Sequence, residues 1–170
     1  MKKVIFITAP EIFRDEEYVI PKRILEEASV KVVTASAKKG EITGRFGTKA
    51  VSEMTIDEID PNDFDAIVYV GGAGSSVFFE NATALKLAND FFSSGKPTAA
   101  ICIAPTIFAN TGILKGKTAT SFPDAKEALI KGGANYTGNP LEIAGNIITA
   151  NGPDAAEIFA KAILEKIISN

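Results

Sequence analysis

Short, almost unbroken apolar runs alternate along this chain with longer stretches in which apolar positions recur every three or four residues. Residues 2–8 (KKVIFIT), 30–35 (VKVVTA), 65–70 (DAIVYV), 98–101 (TAAI), 117–120 (KTAT) and 145–150 (GNIITA) are of the first kind. Their continuous apolar character suits strands covered on both faces, as in a parallel sheet. Residues 15–28 (DEEYVIPKRILEEA) place Val19, Ile20, Ile24, Leu25 and Ala28 at helical spacing. Helices are also predicted over 81–92, 105–110, 124–131 and 154–168, with Gly112 as a C-terminal stop. Pro21 falls early in the first helix, where a missing N–H costs least. The stretch 38–51 (KKGEITGRFGTKAV) reads as a hairpin or bulged ribbon, and a second hairpin is predicted near Asn139-Pro140.

Strands alternating with helices imply right-handed crossovers and a mostly parallel sheet with helices on both faces. No repeat, low-complexity segment or linker interrupts the pattern, and 170 residues suit one α/β domain spanning 1–170. Ligands of such folds gather at the carboxyl ends of strands. That points to the segment after Thr8, to the glycines after Val70, and to Cys102 after Ile101.

Composition narrows the chemistry. Apolar residues make up 46% and charged residues 23% of the chain, with a net charge of -3. No basic run exceeds a pair, so nucleic acid is not expected as a partner. The start lacks a secretory pattern, nothing approaches a membrane-spanning length, and a lone cysteine cannot form an internal disulfide. A cytosolic protein is expected. With one Cys and no His, neither a metal nor another cofactor is expected.

The single thiol therefore carries the interest. Cys102 ends a strand just before a helix, near unpaired backbone N–H groups that favour thiolate over thiol. Pro105 suits the first turn of that helix, and small Ala100 and Ala104 flank the turn as glycines do in hydrolase nucleophile elbows. A free cysteine is also among the most commonly buried residues, so position alone does not make it reactive. Gly71, Gly72 and Gly74 either form a tight turn or bring N–H groups toward an anion. Asp15, Glu16 and Glu17 open the first helix, where acids commonly complement the dipole. Should one of them face the thiol, a single proton shared between the two is the low-cost arrangement.

The segments FRDEEYVIP, GEITGRFGTKAV, FDAIVYVGG, GKPTAAICIAPTIFANTGILKGKTATSFP and GNIITANGPDAAEIFAKAILEKI, in this order and spacing, resemble the ThiJ/PfpI superfamily. That superfamily includes intracellular peptidase-like proteins and the Parkinsonism-associated deglycase, and is class-I glutamine amidotransferase-like. The resemblance implies a flavodoxin-like three-layer α/β sandwich with Cys102 in the nucleophile turn. It selects Glu17, four residues before Pro21, as a protonated partner of the sulfur, and it implies an oxyanion pocket made by the backbone N–H groups of Gly72 and Ile103. It also implies a homodimer or higher homo-oligomer.

Three departures matter. Ile103 stands where the peptidase-like branch has histidine, Ser76 where that branch has an acid, and Phe122 where the deglycase branch has histidine. Amide hydrolysis needs a proton delivered to a poor leaving group, so a peptidase reading is disfavoured in a chain without His, in cis or in trans. The remaining readings are glyoxalase or deglycase-type chemistry on a small carbonyl substrate, a non-catalytic stress response in which an oxidant acts on Cys102, and a scaffold that binds a metabolite or protein.

Overall fold

The computed structural model describes residues 1–170. In chain order the elements are β1 (Lys3–Ile7), β2 (Glu11–Phe13), α1 (Asp15–Glu27), β3 (Lys31–Ser36), β4 (Gly40–Gly44), β5 (Lys49–Ser52), β6 (Met54–Thr55), β7 (Ala66–Tyr69), α2 (Ala82–Ser93), β8 (Thr98–Ile101), α3 (Pro105–Thr111), β9 (Thr118–Ala119), α4 (Lys126–Lys131), β10 (Asn135–Tyr136), β11 (Leu141–Ala144), β12 (Ile147–Ala150) and α5 (Ala156–Ser169). Seven strands form the central sheet in the order β11-β12-β8-β7-β1-β3-β6, parallel except for β11. This is the flavodoxin-like α/β architecture. No helix is long and apolar enough to cross a membrane.

The apolar runs became the buried strands because helices cover both sides of them. β7, β8 and β12 are buried at every position. α1 packs against α5, and α2 against α3. Forty-nine buried residues join in one apolar cluster. Tyr18 from α1 packs edge-on to Phe6 of β1, and Tyr69 of β7 packs edge-on to Phe108 of α3. Both hydroxyls are satisfied: Tyr69 donates to the Ala84 carbonyl at 2.7 Å, and Tyr18 shares a 2.7 Å bond with Thr34.

The strand order places the site. From β1 the chain builds outward through β3 to β6, then returns to the other side of β1 and builds β7, β8 and β12. The direction reverses between β1 and β7, so their carboxyl ends and that of the adjacent β8 converge at the switch point of the sheet.

Several elements differ from the sequence reading. The hairpin expected near Asn139-Pro140 turns instead at Gly145-Asn146, between antiparallel β11 and β12, with Gly145 at φ 62°. The run at 117–120 narrows to two-residue β9, which pairs with β10 outside the main sheet. The hairpin at 38–51 forms as β4 and β5, and β2 joins β4 in parallel, which no apolar alternation announces. Pro21 is the seventh residue of α1, beyond its opening turn, so the Glu17 carbonyl lacks its usual helix donor.

A candidate thiol–carboxyl site at the switch point of the sheet

Cys102 follows β8 directly and has φ 65°, the left-handed region that L-residues with a side chain seldom adopt. Its N–H donates to the Ala150 carbonyl at 3.0 Å, and its carbonyl accepts from the Phe122 N–H at 2.9 Å. These bonds to the β12 end and the neighbouring loop hold the turn in a conformation the residue alone would not favour. Only 9% of the residue is exposed.

Glu17 comes from the first turn of α1 and is completely buried. Neither carboxyl oxygen has a hydrogen-bond partner of standard geometry. The groups that favour its charged form are the Arg14 guanidinium, the Cys102 thiol and the Gly71 N–H. Gly71 lies between the two side chains, and a Cβ there would meet the Glu17 carboxyl, with Cys102 Cβ at 2.5 Å and the Ile101 carbonyl at 2.6 Å. The thiol and the acid are therefore neighbours because residue 71 has no side chain.

Gly72 has φ 99°, and a Cβ on it would collide with the Arg14 nitrogen and lie 2.7 Å from the Ile12 carbonyl. Its N–H and that of Ile103 donate to no protein oxygen. Both lie close enough to the sulfur to favour its anion. The four residues singled out in the sequence, Cys102, Glu17, Gly72 and Ile103, thus meet in one place. Ser76 lines a different hollow, with Thr106 and Asn110.

The charge state differs from the sequence expectation. Loss of water pushes the Glu17 carboxyl up to about 8, against the weaker pull of Arg14. That favours the protonated form at neutral pH. Burial also pushes the Cys102 thiol up to about 12, with the Glu17 carboxylate adding to the rise and the Gly72 and Ile103 N–H groups opposing it. A resident thiolate at neutral pH is therefore not what this environment favours. The two groups form a coupled pair that holds both protons near pH 7 and loses the first as pH passes about 8.

A larger concavity, about 760 Å³ between α1 and β5, is lined in part by Lys22, Arg23, Glu26 and Glu27, which pair with one another. It holds neither the thiol nor the buried acid. Cys102 opens instead into a narrower cavity of about 200 Å³, shared with Gly72, Ile103, Phe122 and Pro153. Three charged side chains, Arg14, Arg45 and Asp124, also line it, with Ala73.

The sequence named Asp15 only among three acids at the start of the first helix; its role and the arginines were missed. Asp15 is 7% exposed and accepts from the N–H groups of Phe46 (2.9 Å) and Thr48 (3.0 Å). Burial by itself would raise its carboxyl, but hydrogen bonds from Thr48 and Phe46 outweigh it and hold the group below the ordinary range. This acid fixes the β4–β5 turn, which carries Arg45 to the cavity. The guanidinium carbons of Arg14 and Arg45 lie 5.0 Å and 5.4 Å from the Phe46 ring centre.

A parallel α/β sandwich with a cysteine in a left-handed turn, set beside a sealed carboxyl at the switch point, defines a class of flavodoxin-like thiol proteins. Within that class the chain belongs to the DJ-1/PfpI family, whose model matches residues 2–166. It is 42% identical to an uncharacterized protein of Methanocaldococcus jannaschii, over 99% of this chain and 83% of that one. It is 35% identical to a Pyrococcus horikoshii protein named as a deglycase, over 93% of each chain. The solved ThiJ/PfpI domain protein of Brachyspira murdochii superposes with a TM-score of 0.96 at 30% identity, covering 99% of this chain and 97% of that one.

Proposed function

We propose that the protein is a cofactor-independent, glyoxalase or deglycase-type enzyme acting on small reactive carbonyls through Cys102 and Glu17. The observation that carries this reading is the fully buried, unpartnered Glu17 carboxyl beside a thiol that itself opens into a cavity. A sealed acid without a partner is costly, and proton transfer at a bound substrate gives it a use. The P. horikoshii relative named as a deglycase supports the same direction.

The steps follow from the pair. Once the pair has lost one proton, sulfur attacks an aldehyde carbon, forming the C–S bond while the carbonyl π electrons move to oxygen. The N–H groups of Gly72 and Ile103 receive that oxyanion, and Glu17 delivers its proton to it. The Glu17 carboxylate then takes the hydrogen from the former aldehyde carbon and returns it to the neighbouring carbonyl carbon, while the hydroxyl proton passes between the two oxygens. The product is a 2-hydroxyacyl thioester. Water cleaves it, releasing the hydroxy acid and restoring the thiol, with no external oxidant or reductant.

Purified protein is expected to consume methylglyoxal, and Cys102→Ala to lose that activity. Because the reactive form is the singly deprotonated pair, kcat/KM should rise about tenfold per pH unit below about 8 and level above it. Equal consumption by wild type and Cys102→Ala ends the proposal. Two other readings draw less support. Oxidant sensing needs an easily ionised thiol, and burial here works against one. Peptide hydrolysis lacks its proton donor, since Ile103 and Phe122 line the cavity at the positions where the resemblance implies histidine and no His occurs in the chain.

A further inference from the structure

The cavity is chemically graded. Its reactive part is Cys102 with the Gly72 and Ile103 N–H groups, all from residues at least half-buried. Phe122 and Pro153 add apolar wall. At the solvent side stand exposed Arg45 and half-buried Arg14.

The donors of these arginines are largely free. Arg45 makes no ion pair in the structure, and none of its guanidinium nitrogens has a hydrogen-bond acceptor, its backbone N–H alone donating to the Phe13 carbonyl at 2.9 Å. Arg14 meets Glu16 through Nε alone at 2.7 Å, which leaves its terminal amino groups open. Both guanidinium groups rest near one phenyl ring, on a turn that Asp15 fixes through two backbone bonds. Planar cationic forks held in place with terminal donors open suit a carboxylate or phosphate oxygen pair.

We infer that the preferred substrate is an α-oxoaldehyde bearing an anionic tail on a short methylene spacer, with the aldehyde at Cys102, the spacer along Phe122 and Pro153, and the anion on Arg45 and Arg14. This rests on the carbonyl reading above and makes Arg45 its specificity-determining residue. Methylglyoxal, which has no anion, engages only the inner part of the cavity. Asp124 also lines the rim and repels the tail, so removing its charge strengthens the preference.

Two measurements test this. In the first, kcat/KM is compared for methylglyoxal and for dioxopentanoate, the α-oxoaldehyde with a two-methylene carboxylate tail. Wild type is expected to prefer dioxopentanoate; Arg45→Gln should cut the preference about fivefold, the worth of one partly exposed charged contact, and Asp124→Asn should raise it. The second needs no turnover. The rate of Cys102 alkylation by iodoacetate relative to iodoacetamide should exceed the same ratio for β-mercaptoethanol and fall toward it in Arg45→Gln.

Cys102-dependent turnover of both aldehydes without preference for the tailed one overturns the substrate class and leaves the carbonyl reading standing. Consumption of neither overturns both. An alkylation ratio equal to that of the free thiol, or unmoved by Arg45→Gln, removes the arginines from recognition.

Discussion

Three consecutive acids, Asp15, Glu16 and Glu17, have three different fates within one helical turn. Glu16 stays partly exposed and pairs with Arg14. Asp15 turns inward to two backbone N–H groups, and Glu17 turns inward to a thiol. From residue types alone all three look like complements to the helix dipole, and nothing local distinguishes them. What separates them is which distant segment each one meets. Glu17 was reached through family resemblance, while the role of Asp15 depends on a turn some thirty residues away and went unseen. The charge of Cys102 was misjudged for a related reason: the favourable N–H groups are local, whereas the burial that opposes them is a property of the packed molecule.

Glu17 gives a residue-scale test with a definite sign. Its folded-state value, about 8, lies above that of an unfolded glutamate, so the folded form binds the proton more tightly. The associated stability is fully present below about pH 4.5 and is lost as pH rises toward about 8. Cys102, raised in the same sense, withdraws more at still higher pH. Measured by urea denaturation, wild type should lose on the order of a few kcal/mol relative to Glu17→Gln between pH 5 and pH 8. Parallel pH profiles for the two proteins would show that the acid is not held protonated.

At the scale of elements, the long periodic signals were read well and the short ones poorly. α1, α2 and α5 lie close to where apolar spacing put them, because each must cover the sheet with one face. β2, β6 and β10, of two or three residues each, left no period to read. β2 is also irregular: Ile12, a β-branched residue, has φ 57° within a register shift. Such strands exist because a neighbour offers a backbone edge. The β4–β5 turn belongs to the same group, and Asp15 is its internal support. Asp15→Ala is expected to cost roughly 1.5–3 kcal/mol, the worth of hydrogen bonds to a charged acceptor, and to speed amide exchange at Phe46 and Thr48. A loss within experimental error, with exchange unchanged, would mean that the turn holds itself.

Across the whole molecule, the alternation of strand and helix was enough to anticipate a parallel sheet and to direct attention to its carboxyl edge. It did not reveal which strands are adjacent, and so could not by itself bring residues 17, 71 and 102 together. That adjacency comes from the reversal of strand order beside β1, enforced by a core to which the last helix contributes heavily. Phe159 of α5 is completely buried in that core. Phe159→Ala is expected to destabilise the fold by about 3–5 kcal/mol, since a large aromatic leaves a cavity that packing cannot fully close. Carbonyl turnover per folded molecule should be little changed, and a loss of activity at full folding would tie α5 to the chemistry directly.

The positive φ of Cys102 has an evolutionary corollary. The bend after β8 is one that glycine occupies without steric objection, so the backbone here would be more at ease with no side chain whatever. A population of variants screened for robustness alone would tend to replace the whole cysteine side chain with a hydrogen. Persistence of a thiol at this bend across a lineage is then a record of selection for what the sulfur does, maintained against a small but constant pull toward a sturdier, inert protein.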